Sequence, residues 1–232
     1  MLPAGKMQPL ILSGSHADLY TADHELGHGV IAAHLHIPFD YVTVVPQKSS
    51  LGHLQLLPKR VGAYRNIIYR KYQNQYREIP IADVRRKFLI NSIVVRLAGG
   101  ESTAIFYGTR KGCQSDKKQA REIAATGLNI PKNEIQSFLK HLRKRAQSLV
   151  RIPYIQNTIE FLSFELVGKQ TLTAREVRRR YIEVKKQWQW EQLIYRKYGI
   201  GPQRRAGNRP RKEGRHGKTS IMERRRGAAF SS

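Results

Sequence analysis

His24 and His28 stand four positions apart in TADHELGHGVIAAHL, and Glu25 directly follows the first of them. On a helix that spacing is about one turn, so both imidazoles leave the same face. Two imidazoles placed in this way can bind a single metal ion, and imidazole suits Zn²⁺. A catalytic zinc takes three protein ligands and keeps a fourth position for water, which it makes acidic enough to ionise near neutral pH. Glu25 is offset from the ligand pair and can accept the proton of that water. The H-E-x-x-H pattern thus gathers Lewis acid, nucleophile and base within five residues. The competing reading is an ordinary amphipathic helix that happens to carry histidines. Spacing leaves the third ligand open among Glu101, Asp116, Glu122 and His53. His34 and His36 lie too far along the same helix to converge with His24, and are better read as helix-end residues.

The motif needs a helix to carry it and partners to enclose it. Residues 15–35 read as that helix, with Ser15 and Asp18 at capping-box spacing. Leu19, Ala22, Leu26, Val30 and Ala33 form one core stripe at helical intervals, and Pro38 marks the end. YVTVVP at 41–46 and LGHLQLLP at 51–58 read as two short strands joined by QKSS, a hairpin. The segment 59–80 is rich in Arg, Lys, Tyr and Gln, and its pattern decides between neither a helix nor an insertion. Helical patterns follow at 81–107, 115–126, 131–150 and 157–167, with Gly108 and Gly112 flanking a loop. Thr173 and Glu176 form a second capping box, opening a helix that runs to Tyr198. Residues 199–232 are rich in Arg, Gly and Pro with almost nothing to bury, which predicts a disordered basic tail. The expected fold is mainly α with a small β-hairpin: one domain over 1–198, then the tail.

Charge sets the partners. Forty-two Lys and Arg oppose 17 acids, for a net +25, an excess that attracts nucleic acid, anionic lipid or acidic protein. The lone cysteine, Cys113, excludes an internal disulfide and fits a reducing compartment. No signal-peptide pattern stands at the N-terminus, and no apolar run approaches the roughly 20 residues that span a bilayer. A cytoplasmic location is expected. No G-x-x-x-x-G-K-[ST] loop is present, so no ATPase module is visible.

Several blocks, taken in order, resemble the peptidase domain of the FtsH proteases, which are membrane-anchored, ATP-dependent zinc enzymes. HELGH resembles that family's HEAGH helix, YVTVVP its VTIIPR strand, and LGHLQLLP its LGYTQYLP segment. RLAGGESTAIFYG resembles LLGGRAAEEIIFG, GCQSDKKQAREIA the GAxND-led helix, and TLTAREV the late LTGEEI segment. The resemblance covers about residues 18–180. It implies a zincin-type domain in which His24, His28 and Asp116 hold zinc and Glu25 is the base. It also implies that Gly52, His53 and Leu54 lie on an edge strand along which an extended substrate pairs. The alternatives are a first-turn acid for Asp116 and an ordinary edge strand.

The chain also departs from the family. The AAA+ module and membrane anchors are absent from it. Thr103 and Ala104 replace an acidic pair, Ser115 replaces an asparagine, and Leu26 replaces a small residue. The expected activity is that of a zinc metalloendopeptidase acting on unfolded or extended polypeptides, with no ATPase in the same chain. A second reading is a retired protease scaffold that binds nucleic acid or acts as an adaptor through its basic surface. In that reading the aromatics of RNIIYRKYQNQYR and KKQWQWEQLIYRKYG stack on bases; otherwise Trp188 and Trp190 simply pack the last helix. A third reading is a peptidase served by a separate ATPase or adaptor. Ring assembly is left open.

Overall fold

The computed structural model describes residues 16–46, 51–56 and 81–198. The Ser15 cap, the QKSS turn, the 59–80 segment and the tail from 199 lie outside the described residues. In chain order the elements are α1 (His16–His34), β1 (Phe39–Thr43), β2 (His53–Leu56), α2 (Ile81–Tyr107) and α3 (Gln114–Glu122). A π-helical turn (Ile123–Gly127), α4 (Ile135–Val150), α5 (Pro153–Lys169), β3 (Thr171–Thr173) and α6 (Ala174–Tyr198) complete the series. The expected mainly helical fold with a small antiparallel sheet is what the described residues form. None of their helices is long and apolar enough to cross a membrane.

The centre of the fold is α1. Every residue from 22 to 33 is buried, because α2, α5, α6 and the sheet pack around it. This corrects the single core stripe expected from periodicity. Ala22, Leu26, Val30 and Ala33 are in the core and Leu19 is half-buried, but so are Ile31 and Ala32 on other faces. A helix enclosed on all sides is ordinarily apolar all round. Here Asp23, His24, Glu25 and His28 are buried with it. Burying such groups is costly unless they are paired, so each needs a partner or a purpose. Asp23 has partners: it accepts from the Tyr107 hydroxyl at 2.6 Å and from Ser163 Oγ.

The two strands pair as expected, with β1 beginning two residues earlier and β2 two residues later than the sequence suggests, and residues 57–58 outside the described residues. Thr43 lies opposite His53, Val42 opposite Leu54 and Phe39 opposite Leu56, with a register irregularity between Phe39 and Val42. The sheet has a third strand that the sequence reading lacks. β3 pairs antiparallel with the other side of β1, giving the order β2-β1-β3. Three residues are too few to show strand alternation, and TLT reads as the lead-in to a helix. It is that as well: Thr173 N–H donates to Glu176 Oε2 at 2.8 Å and Glu176 N–H donates to Thr173 Oγ1 at 3.3 Å, the expected capping box. The helix expected over 115–126 ends as α-helix at Glu122 and continues as the π-turn.

Candidate metal centre

One turn of α1 places the imidazoles of His24 and His28 edge to face, with ring centroids 4.8 Å apart. Their Nε2 atoms are 3.2 Å from each other. Asp116 comes to them from the first turn of α3, with Oδ2 3.1 Å from His24 Nε2 and 3.5 Å from His28 Nε2. Among the described residues these three form the group whose ligand atoms converge. The spacing can be tested against a metal. Tetrahedral zinc with bonds of about 2.0–2.1 Å separates its ligand atoms by about 3.3–3.4 Å. The three observed separations bracket that value, and two imidazoles with a carboxylate are a known donor set for zinc. The residues fit the ion.

Local structure sets each ligand. A backbone carbonyl can only accept, so the 2.7 Å contact between His28 Nδ1 and the Val95 carbonyl places the proton on Nδ1 and leaves the Nε2 lone pair for the site. The Gly99 amide lies farther from the same nitrogen, at 3.2 Å, and does not set the tautomer. Asp116 is placed through Cys113, which caps α3, packs on α2 beside Gly100 and donates its thiol proton to the Arg110 carbonyl at 2.9 Å. His24 Nδ1 is buried and has no hydrogen-bond partner among the described residues. Thr103 turns its hydroxyl back onto the Gly100 carbonyl of its own helix.

The electrostatics are those of an ion site. Burial alone would lower the His28 pKa, but the Asp116 carboxylate outweighs it and raises the imidazole to about 9. Burial alone would raise the Asp116 carboxyl, but the imidazoles of His28 and His24 hold it well below the usual carboxylate range. A metal binding there competes with protons for the same side chains. Glu25 behaves in the opposite way: burial raises its pKa, the two imidazoles pull it back only partly, and Asp116 pushes it further up. A carboxylate made more basic beside a metal site is suited to accept a proton.

The other third-ligand candidates lie apart from this group. Glu101 is buried and clamped by two guanidinium groups, accepting from Arg110 Nε at 2.9 Å, Arg110 Nη2 at 3.0 Å and Arg143 Nε at 2.6 Å. It ties the 110 loop and α4 to α2. Burial pushes its pKa up, but the two arginines more than compensate and lower it. A lowered carboxyl pKa gives stability that is present above the unfolded value of about 4.3 and is lost as pH falls toward the folded value. Glu101→Gln is thus expected to cost roughly 2–3 kcal/mol at pH 7, reduced from the fully buried case because the arginines are partly exposed. It should also flatten the loss of stability below about pH 4.3, which denaturant melts across pH would read.

His53 Nε2 lies 3.2 Å from the Tyr41 hydroxyl. His34 Nδ1 contacts the Tyr181 hydroxyl at 2.8 Å, and His36 takes a positive φ where the chain leaves α1. Of the substrate-edge residues, Leu54 and His53 are half-buried on β2, which pairs with β1 on one side only among the described residues. Gly52 is buried against Glu25. A Cβ on it would sit 2.9 Å from Glu25 Cγ and 2.7 Å from the Thr43 carbonyl, so only glycine lets the chain pass over Glu25.

Two contributors went unnoticed in the sequence. One is the Val95 carbonyl, invisible because any residue supplies one. The other is Gly99, where α2 crosses α1 directly behind the ligands. A Cβ there would lie 2.4 Å from His28 Nε2 and 2.8 Å from the His24 carbonyl. The GG doublet in LAGGES was its only signal. Gly99→Ala is expected to destabilise by about 1–3 kcal/mol through overpacking. Zinc affinity should fall about 10–100-fold, the scale of disturbing a ligand's support. A thermal melt and a zinc titration check the two effects separately.

Compared with known proteins, the chain matches no family model and no curated protein.

Proposed function

We propose that this protein is a zinc-dependent endopeptidase that cleaves unfolded or extended polypeptides, built on a zincin-type domain. The observation that carries the reading is the convergence of His24, His28 and Asp116 at tetrahedral ligand spacing, with buried Glu25 next in sequence to His24. The ordered blocks that resemble FtsH-type peptidases support it.

Bound zinc supplies Lewis acidity, polarising a scissile carbonyl and acidifying nearby water. His28 is held in the ligating tautomer by Val95. Glu25 takes the proton of the water as its oxygen adds to the scissile carbonyl carbon, and gives that proton to the amine nitrogen as the tetrahedral adduct collapses and the C–N bond breaks. Its low-dielectric surroundings keep it basic enough for the first step. An extended substrate pairs by its backbone along the side of β2 that no described strand occupies, where recognition is sequence-tolerant. Folded substrates would need a separate ATPase or adaptor to open them.

The test is hydrolysis of a fluorescently labelled, denatured polypeptide before and after metal removal. Activity should disappear with the chelator and return with added Zn²⁺. Hydrolysis indifferent to chelation would contradict the proposal.

A further inference from the structure

The long last helix has one face on the protein and one left exposed by the described residues. Val177 and Tyr181 are buried, and Val184 and Trp188 pack against the core; the Trp188 ring lies 5.4 Å from Tyr154. Diametrically opposite runs Arg179, Ile182, Lys186, Trp190, Leu193 and Lys197, spaced three, four, four, three and four apart. At 100° per residue these six fall within one narrow stripe about 27 Å long. All six are exposed. Ile182 is 48% exposed, Leu193 58% and Trp190 64%. Three cations and three large apolar groups are interspersed along the stripe. Its nearest acid, Glu183, pairs with Arg180 at 2.9 Å and more loosely with Arg179 of the stripe at 3.9 Å.

We infer that this stripe docks the protein onto an anionic lipid bilayer surface. Three features favour that occupant. The stripe is opposite the body, so a flat surface can meet its whole length. Its charge complements acidic headgroups, and the sequence beyond it adds Arg and Lys with only Glu213 and Glu223 as acids. Its apolar members include aliphatic side chains, which gain from acyl chains and gain nothing from phosphates or stacked bases. Trp190, Ile182 and Leu193 enter the headgroup–acyl boundary while Arg179, Lys186 and Lys197 extend to the phosphates. The helix lies in the interface plane and does not cross it.

Flotation of the full chain with vesicles of phosphatidylcholine, with and without phosphatidylglycerol, tests this. Binding is expected only with the anionic lipid, accompanied by a blue shift of tryptophan fluorescence that Trp190→Phe removes. The double variant Trp190→Ala, Leu193→Ala keeps every charge and is expected to bind at least about tenfold more weakly. Its zinc content and circular dichroism should match the wild type, since both residues are exposed. Lys186→Glu with Lys197→Glu should weaken binding independently. Four results would overturn the inference. The first is no binding to anionic vesicles, and the second is undiminished binding by the Trp190 and Leu193 variant, leaving basic charge alone as the cause. The third is loss of single-stranded oligonucleotide binding in that variant with vesicle binding intact. The fourth is a dimer of the chain that the variant dissociates while vesicle binding is unchanged.

Discussion

Glu25→Gln is expected to slow peptide hydrolysis on the order of a thousandfold while leaving zinc bound. The amide keeps the size and packing of the carboxylate but cannot accept a proton from water at neutral pH. The substitution also separates chemistry from folding. Burial raises the Glu25 pKa, so the folded protein holds an ionised carboxylate there at a cost. Removing that charge at neutral pH should leave Tm unchanged or higher. Steady-state hydrolysis of the labelled polypeptide, a metal assay and a melt on the same preparation give all three readings. Full activity in Glu25→Gln would remove Glu25 from the mechanism. Lost activity with lost zinc would mean that the substitution had disturbed the site.

Asp116→Ala should weaken zinc binding at least about a hundredfold, above the upper end of what losing a ligand's supporting contact costs. Of the three converging side chains, Asp116 is the one that comes from outside α1. Without it two imidazoles remain, too few for a protein zinc site of three ligands and a solvent position. Competition against a chromophoric chelator measures the change. The paired substitution Glu101→Ala serves as the contrast: it removes a buried carboxylate of the same region and should lower stability without comparable loss of zinc affinity in the folded protein. Equal zinc affinity in wild type and Asp116→Ala would assign Asp116 to the helix N-terminus and leave the third ligand unidentified.

Local signals in the sequence account for much of this site. H-E-x-x-H spacing needs only a helix to become geometry, and α1 forms over almost the expected range. The Thr173–Glu176 capping box is local too, and it forms as read. Asp116 is a different case. Ninety-odd residues separate it from His24, and spacing left it level with Glu101, Glu122 and His53; only the resemblance to FtsH-type peptidases singled it out. The structure shows why composition could not decide. Glu101 is as buried as a ligand would be, but two arginines from later in the chain claim it. What the sequence hid was mostly tertiary. Nothing local says that α1 is enclosed on every side, that three residues before α6 complete a sheet, or that Gly99 is small because an imidazole stands against it.

The central claim is that His24, His28 and Asp116 bind one zinc ion. Native mass spectrometry of the wild-type chain, stripped of metal and reconstituted with Zn²⁺, tests it most directly. One tightly held zinc per chain is the predicted result. A chain that stays metal-free with zinc in excess would contradict the account, and the convergence of the three side chains would then be only a buried ion pair.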